Sequence, residues 1–176
     1  MFETKNRRYD NALVYHLKRV KDWLVFGSVG FRKRMSQDKL KQLFYKLIRP
    51  VELPKNQGQF VVRFEGDNKT RERHFHFLLR DKGLVSSDIN VINSKLKNTI
   101  KDLSFDHDEF VSSTNMFVKY NPKLGAIGYI SKIANDEVER LEGRGLDSCV
   151  AGMDWKMSSR LKRDLIKMNQ TTIQKY

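Results

Sequence analysis

Apolar residues recur along this chain in two rhythms, one with a period near 3.6 and one alternating, and together they predict an ordered series of helices and strands. Asn11–Asp22 carries a short helical pattern, and Trp23–Phe31, rich in aromatic and β-branched residues, predicts a buried strand. Leu40, Leu43, Phe44, Leu47 and Ile48 fall on one face of a helix that Ser36 can cap and Pro50 would stop. Gln59–Glu65 and His74–Leu79 read as strands, paired antiparallel across the polar stretch 66–73. Ile89, Ile92, Leu96, Ile100 and Leu103 mark a second helix, capped by Ser86 or Ser87, and Asn115–Tyr120 a further strand ended by Pro122. A third helix is predicted through Ile127, Tyr129, Ile130 and Ile133 to about Leu141. A fourth starts near Ser158 and carries Leu161, Leu165, Ile166 and Met168.

This mixed order predicts an α+β fold, a central antiparallel sheet of about five strands with flanking helices. No repeat and no Pro- or Gly/Ser-rich linker divides the 176 residues, so one domain is expected over 1–176. Its core is expected at about 23–135, with a basic helical C-terminal extension at about 145–176.

Charge narrows the choice of partner. Lys and Arg number 34 against 21 Asp and Glu, a formal net charge of +13, and residues 1–50 alone hold 13 basic and 4 acidic side chains. Such a balance suits a polyanion. A single cysteine, Cys149, excludes an internal disulfide framework, and no apolar run approaches a membrane span. A reducing, cytoplasmic setting without a membrane is the expectation.

The chemistry concentrates in two short stretches. In His74-Phe75-His76-Phe77-Leu78-Leu79 a strand would turn His74 and His76 to one face and Phe75 and Phe77 to the other. A lone His-x-His pair is often surface decoration. Here, if the hairpin pairs Glu65 with His74, a carboxylate stands beside the imidazoles at roughly 5 Å between β-carbons. Two nitrogens and one oxygen suit a catalytic divalent ion, Mn²⁺ tolerating imidazole better than Mg²⁺. His16 and His107 have no such partners and read as ordinary polar positions.

The second stretch is Gly125-Ala126-Ile127-Gly128-Tyr129-Ile130-Ser131-Lys132-Ile133. On a helix, Tyr129 and Lys132 are i, i+3 neighbours, which would put an ammonium beside a phenol and beside any phosphate that phenol attacks. Gly125, Ala126 and Gly128 would let a DNA backbone approach. A phenol is a weak nucleophile at neutral pH, but a polarised phosphate and a nearby cation let it form a covalent ester. The pattern Tyr-x-x-Lys is common by chance, and a tyrosine is more often a packing residue.

Taken jointly, over roughly residues 23–135, the order of strand, hairpin, His-x-His strand, helix, strand and Tyr-x-x-Lys helix resembles the HUH endonuclease superfamily. It resembles in particular the single-tyrosine rolling-circle replication initiator (Rep) branch of that superfamily. The resemblance implies a sheet related to ferredoxin-like folds, and a Mn²⁺ or Mg²⁺ ion held by His74 and His76 with Glu65 as the further ligand. It implies Tyr129 as the nucleophile on single-stranded DNA at an origin or hairpin, leaving a 5′-phosphotyrosine and a free 3′-OH, and Lys132 as the positioning or charge-stabilising lysine. No G-x-x-x-x-G-K-[ST] loop is present, so unwinding would fall to a host helicase and extension to a polymerase. With one tyrosine, closure calls for the freed 3′-OH or for a second subunit, hence a monomer or a transient dimer. Conjugative relaxases place their tyrosines ahead of the histidines, whereas Tyr129 follows them. Single-tyrosine transposases share this order but usually carry a metal-binding Gln four residues after the tyrosine, where this chain has Ile133. Transposase remains an alternative, as does a non-catalytic basic module that binds DNA or RNA.

Overall fold

A computed structural model describes residues 8–9, 11–31, 35–54, 56–65, 74–107, 110–133 and 155–173. A five-stranded antiparallel sheet, flanked by helices on both faces, makes this an α+β fold. In chain order the elements are β1 (Arg8–Tyr9), α1 (Asn11–Arg19), β2 (Trp23–Phe31), α2 (Gln37–Ile48), β3 (Phe60–Glu65), β4 (His74–Arg80), α3 (Ile89–His107), β5 (Phe110–Lys119), α4 (Ala126–Ser131), β6 (Lys132–Ile133), β7 (Trp155–Met157) and α5 (Ser159–Ile173). The sheet runs β5-β2-β4-β3-β7, and β1 pairs with β6 as a separate ribbon.

Strict alternation along β3 and β4 divides the interior in two. Phe60, Val62, Phe64, Phe75, Phe77 and Leu79 enter one core with α2 and α3, where the Phe44 ring meets Phe60, Phe64, Phe75 and Phe77 edge-on at 5.0–6.1 Å between centroids. Val61 and Leu78 enter the other with Leu13, Leu17, Phe26, Ile127, Ile130, Leu161 and Leu165 from α1, β2, α4 and α5. A slip of one residue would exchange the two faces, so the phenylalanines hold the β3–β4 register.

Gly27 of β2 shows how tightly the first core is filled. It lies opposite Phe77 and Phe117, and a β-carbon built there would stand 2.1 Å from the Phe77 ring. The ring is fully buried and packed against Phe44, Phe75 and Phe117, so it has nowhere to retreat. Gly27→Ala should cost about 1–3 kcal/mol of overpacking, read as a lower urea midpoint at unchanged slope.

Helix α2 begins as expected, the Ser36 hydroxyl accepting from the Lys39 amide at 3.2 Å, and a 3₁₀ turn over Arg49–Val51 follows it. Four expectations need correction. Helix α3 is capped by Asp88, whose carboxylate accepts from the Asn90 amide at 2.8 Å, while Ser86 accepts from the Asp88 amide instead of capping the helix. Strand β5 starts at Phe110, five residues earlier than the apolar pattern suggested. Ile166 of α5 faces solvent, 56% exposed, because Leu161 and Leu165 already fill the contact with the sheet. The helix expected to run past Ile133 ends at Ser131, and the chain continues as β6, where Lys132 pairs with Tyr9. Residues 134–141, the remainder of that expectation, lie outside the described residues.

The segment expected as a helical extension also supplies the fifth strand, β7, and α5 is tied down beside it by a polar cluster. Buried Arg80 donates to Gln59 at 2.7 Å, to Asp164 at 2.8 Å and to Asp22, and Lys82 reaches Asp164 at 3.3 Å. Burial alone would raise the Asp164 carboxyl; hydrogen bonds from Lys82, Arg80 and Gln59, with the Lys82 charge, outweigh it and hold the group below its ordinary 3.8. A depressed carboxyl stabilises the fold fully above its unfolded value and ceases to as pH falls through its folded value. Asp164→Asn should therefore cost about 1–3 kcal/mol at pH 7, and the deficit should shrink as denaturation is repeated below pH 3.8.

Among the described residues no helix is long and apolar enough to cross a membrane.

Candidate metal and tyrosine site

The β3–β4 register places Glu65 directly opposite His74 and Arg63 opposite His76, and β2 brings Gly30 and Ser28 to their other side. Pairing of Glu65 with His74 is the register on which the sequence argument depended. Side chains directly opposite share a face, so the carboxylate and both imidazoles converge on the face that carries α1, α4 and α5.

Glu65 Oε2 lies 3.0 Å from His74 Nε2 and 3.7 Å from His76 Nε2. One ligand atom from each of the three residues falls within 4.8 Å of the others, the only such group of three or more among the described residues. The side chains are 15%, 27% and 14% exposed for Glu65, His74 and His76, so all three are partly open to solvent. As neutral imidazoles with a carboxylate, the group offers two nitrogens and one oxygen. That donor set fits a divalent transition ion and leaves positions for substrate. Glu65, His74 and His76 thus form a group that could hold a metal ion.

Arg63, two residues before Glu65 on β3, is buried, and its Nε stands 3.9 Å from Glu65 Oε1. Its neighbour's two oxygens are thus divided, one turned toward the imidazoles and one toward the guanidinium. The same alternation that singled out His74 and His76 would have singled out Arg63, had it been extended one strand back.

Tyr129 comes to this site from α4, a helix of only six residues. Gly125 starts it from the left-handed region (φ 70°), closing the 3₁₀ turn of Pro122–Leu124 that Asn121 caps. A side chain at Gly125 would meet nothing within 4 Å, so the constraint is the backbone angle itself. Ala126, Ile127 and Ile130 are buried in the second core, which turns Tyr129 outward at 46% exposure. Ala126, expected to line an approach for DNA, is a core residue instead.

The Tyr129 ring centroid lies 5.6 Å from His76 and 6.4 Å from Phe26, and Phe26 stacks on His76 at 6.0 Å with 12° between planes. Phe26, missed by the sequence argument, is the support for both rings. Residues 53 positions apart in sequence are therefore in contact at one site. Lys132 does not join Tyr129 by helical spacing, because α4 ends between them and Lys132 starts β6. Tyr120, the nearest rival phenol in sequence, packs against the second core, and burial pushes its pKa up, away from easy ionisation. His16 sits on α1 with its ring edge-on to Tyr15 at 5.4 Å, and it is not part of the metal-binding group.

Searches against models of known protein families and against curated proteins find no match to this sequence.

Proposed function

We propose that this protein is a metal-dependent single-stranded DNA nickase and strand transferase that initiates rolling-circle replication, the activity implied by its resemblance to single-tyrosine HUH Rep proteins. The observation that carries the reading is the exposed Tyr129 phenol against His76, beside the group of Glu65, His74 and His76.

In the reaction, Tyr129 Oη attacks a phosphodiester phosphorus, forming an O–P bond as the P–O3′ bond breaks. The phenol proton leaves to solvent, the 3′ oxygen ends as a free hydroxyl, and the 5′ phosphate remains esterified to Tyr129. A Mn²⁺ or Mg²⁺ ion bound by His74, His76 and Glu65 would supply Lewis-acid stabilisation of charge developing on the phosphate oxygens. Phe26 holds His76 and Tyr129 in register, so the nucleophile is oriented before substrate arrives. The excess of basic side chains draws the DNA in by releasing counterions, with no requirement on sequence. Unwinding and extension fall to a host helicase and polymerase in this reading, and a freed 3′-OH or a second subunit completes strand transfer.

Lys132 keeps its assigned role on the resemblance alone, as a cation acting on the phosphate while its charge grows. Lys132→Ala should lower the single-turnover cleavage rate about ten- to a hundred-fold and change DNA affinity little. An equal loss in affinity and rate would make it a binding residue.

The whole proposal is tested by incubating the protein with pooled single-stranded oligonucleotides and Mn²⁺. A DNA adduct that survives SDS and heat, and that disappears with EDTA, supports strand transfer. Saturable binding without any adduct would favour the non-catalytic module.

A further inference from the structure

Strand β7 extends the sheet beside β3, and Trp155 pairs with Arg63, which pairs in turn with His76. His76, Arg63 and Trp155 therefore form one row across three strands, on the face that carries the metal group and Tyr129. Two contacts fix the indole on that face. Trp155 and Met157 pack against the second core, and Lys156 between them points the other way, its ammonium 5.4 Å from the centroid of the Tyr45 ring on α2. Two strand spacings separate Trp155 from His76, about 10 Å. The indole is partly exposed.

We propose that Trp155 is a base-stacking residue of the DNA-binding face, taking a nucleobase next to the phosphate that lies between Tyr129 and the metal group. This rests on the reading of the site as one for single-stranded DNA. An indole face accepts any base, since every base has a π-surface, but only an unpaired base can turn onto it. Stacking at this position selects single strands without reading sequence. It also gives β7, a three-residue edge strand outside the expected core, a part in substrate binding.

The test uses intrinsic fluorescence. The only other tryptophan, Trp23, is 6% exposed and donates its indole N–H to the Leu17 carbonyl at 3.0 Å, so a change on adding DNA reports Trp155. The protein is titrated in EDTA with an oligothymidylate of about 12 nucleotides. Saturable quenching is expected, absent with a duplex of equal length. Trp155→Ala should weaken binding about ten- to a hundred-fold and Trp155→Phe should retain most of it. If the alanine variant does not fold, the wild-type quenching and the phenylalanine variant decide the matter. Saturable binding with unchanged fluorescence, or an alanine variant that binds as wild type does, overturns the assignment of Trp155 and leaves the nickase reading standing. Failure of the wild-type protein to bind single-stranded DNA overturns both.

Discussion

Tyr129→Phe should fold, bind single-stranded DNA and pack against Phe26 as the wild-type protein does, and yet form no covalent adduct and release no 3′-OH. The substitution deletes one oxygen from a ring that is 46% exposed, so neither core loses packing, and the contact of 5.6 Å with His76 is made by the ring and not by the hydroxyl. Loss of cleavage beyond detection beside an unchanged unfolding midpoint is the signature of a missing nucleophile. Residual adduct in this variant would transfer the role to another tyrosine. Tyr120 is the candidate its position suggests, against the upward shift that burial imposes on its phenol.

His76→Ala should have the second largest effect, a fall of about a thousand-fold or more in metal-dependent cleavage. Two losses coincide at this residue. Its Nε2 is one of three ligand atoms within 4.8 Å, and its ring is the surface that both Phe26 and Tyr129 contact. His74→Ala removes a ligand and leaves the Tyr129 support intact. The two variants should therefore lose Mn²⁺ binding alike, measured by the electron paramagnetic resonance signal of the free ion, while His76→Ala alone removes one of the two rings that contact Tyr129 and leaves it only Phe26. Equal Mn²⁺ affinity in wild type and both variants would remove the histidines from the ligand set.

Much of the fold was legible because the local signals agreed with the tertiary ones. Trp23–Phe31 has the bounds its composition suggested, and Ser36 caps α2 as its position before an apolar stripe required. The metal group was legible in part: period-2 alternation puts His74 and His76 on one face, whereas the pairing of Glu65 with His74, assumed at the level of sequence, is set by the β3–β4 register. What was not legible depends on long-range pairing. Lys132 leaves the helical pattern because β6 pairs with Tyr9, far back in the chain, and no local preference of Ser131-Lys132-Ile133 announces that. The same holds for β7, a strand of three residues that exists because β3 offers it an edge. Ile166 misled because its position satisfied helical spacing, whereas the sheet takes only the stripe of Leu161 and Leu165.

The central claim is that Tyr129 and the group of Glu65, His74 and His76 form one reaction centre. The most direct measurement is to trap the adduct with Mn²⁺ and a single-stranded oligonucleotide, digest the protein, and locate the nucleotide-bearing residue by mass spectrometry. The account predicts a 5′-phosphodiester on Tyr129, formed only with a divalent ion and lost in His74→Ala and His76→Ala. A nucleotide on any other residue, or an adduct on Tyr129 that forms equally well in EDTA, would contradict it.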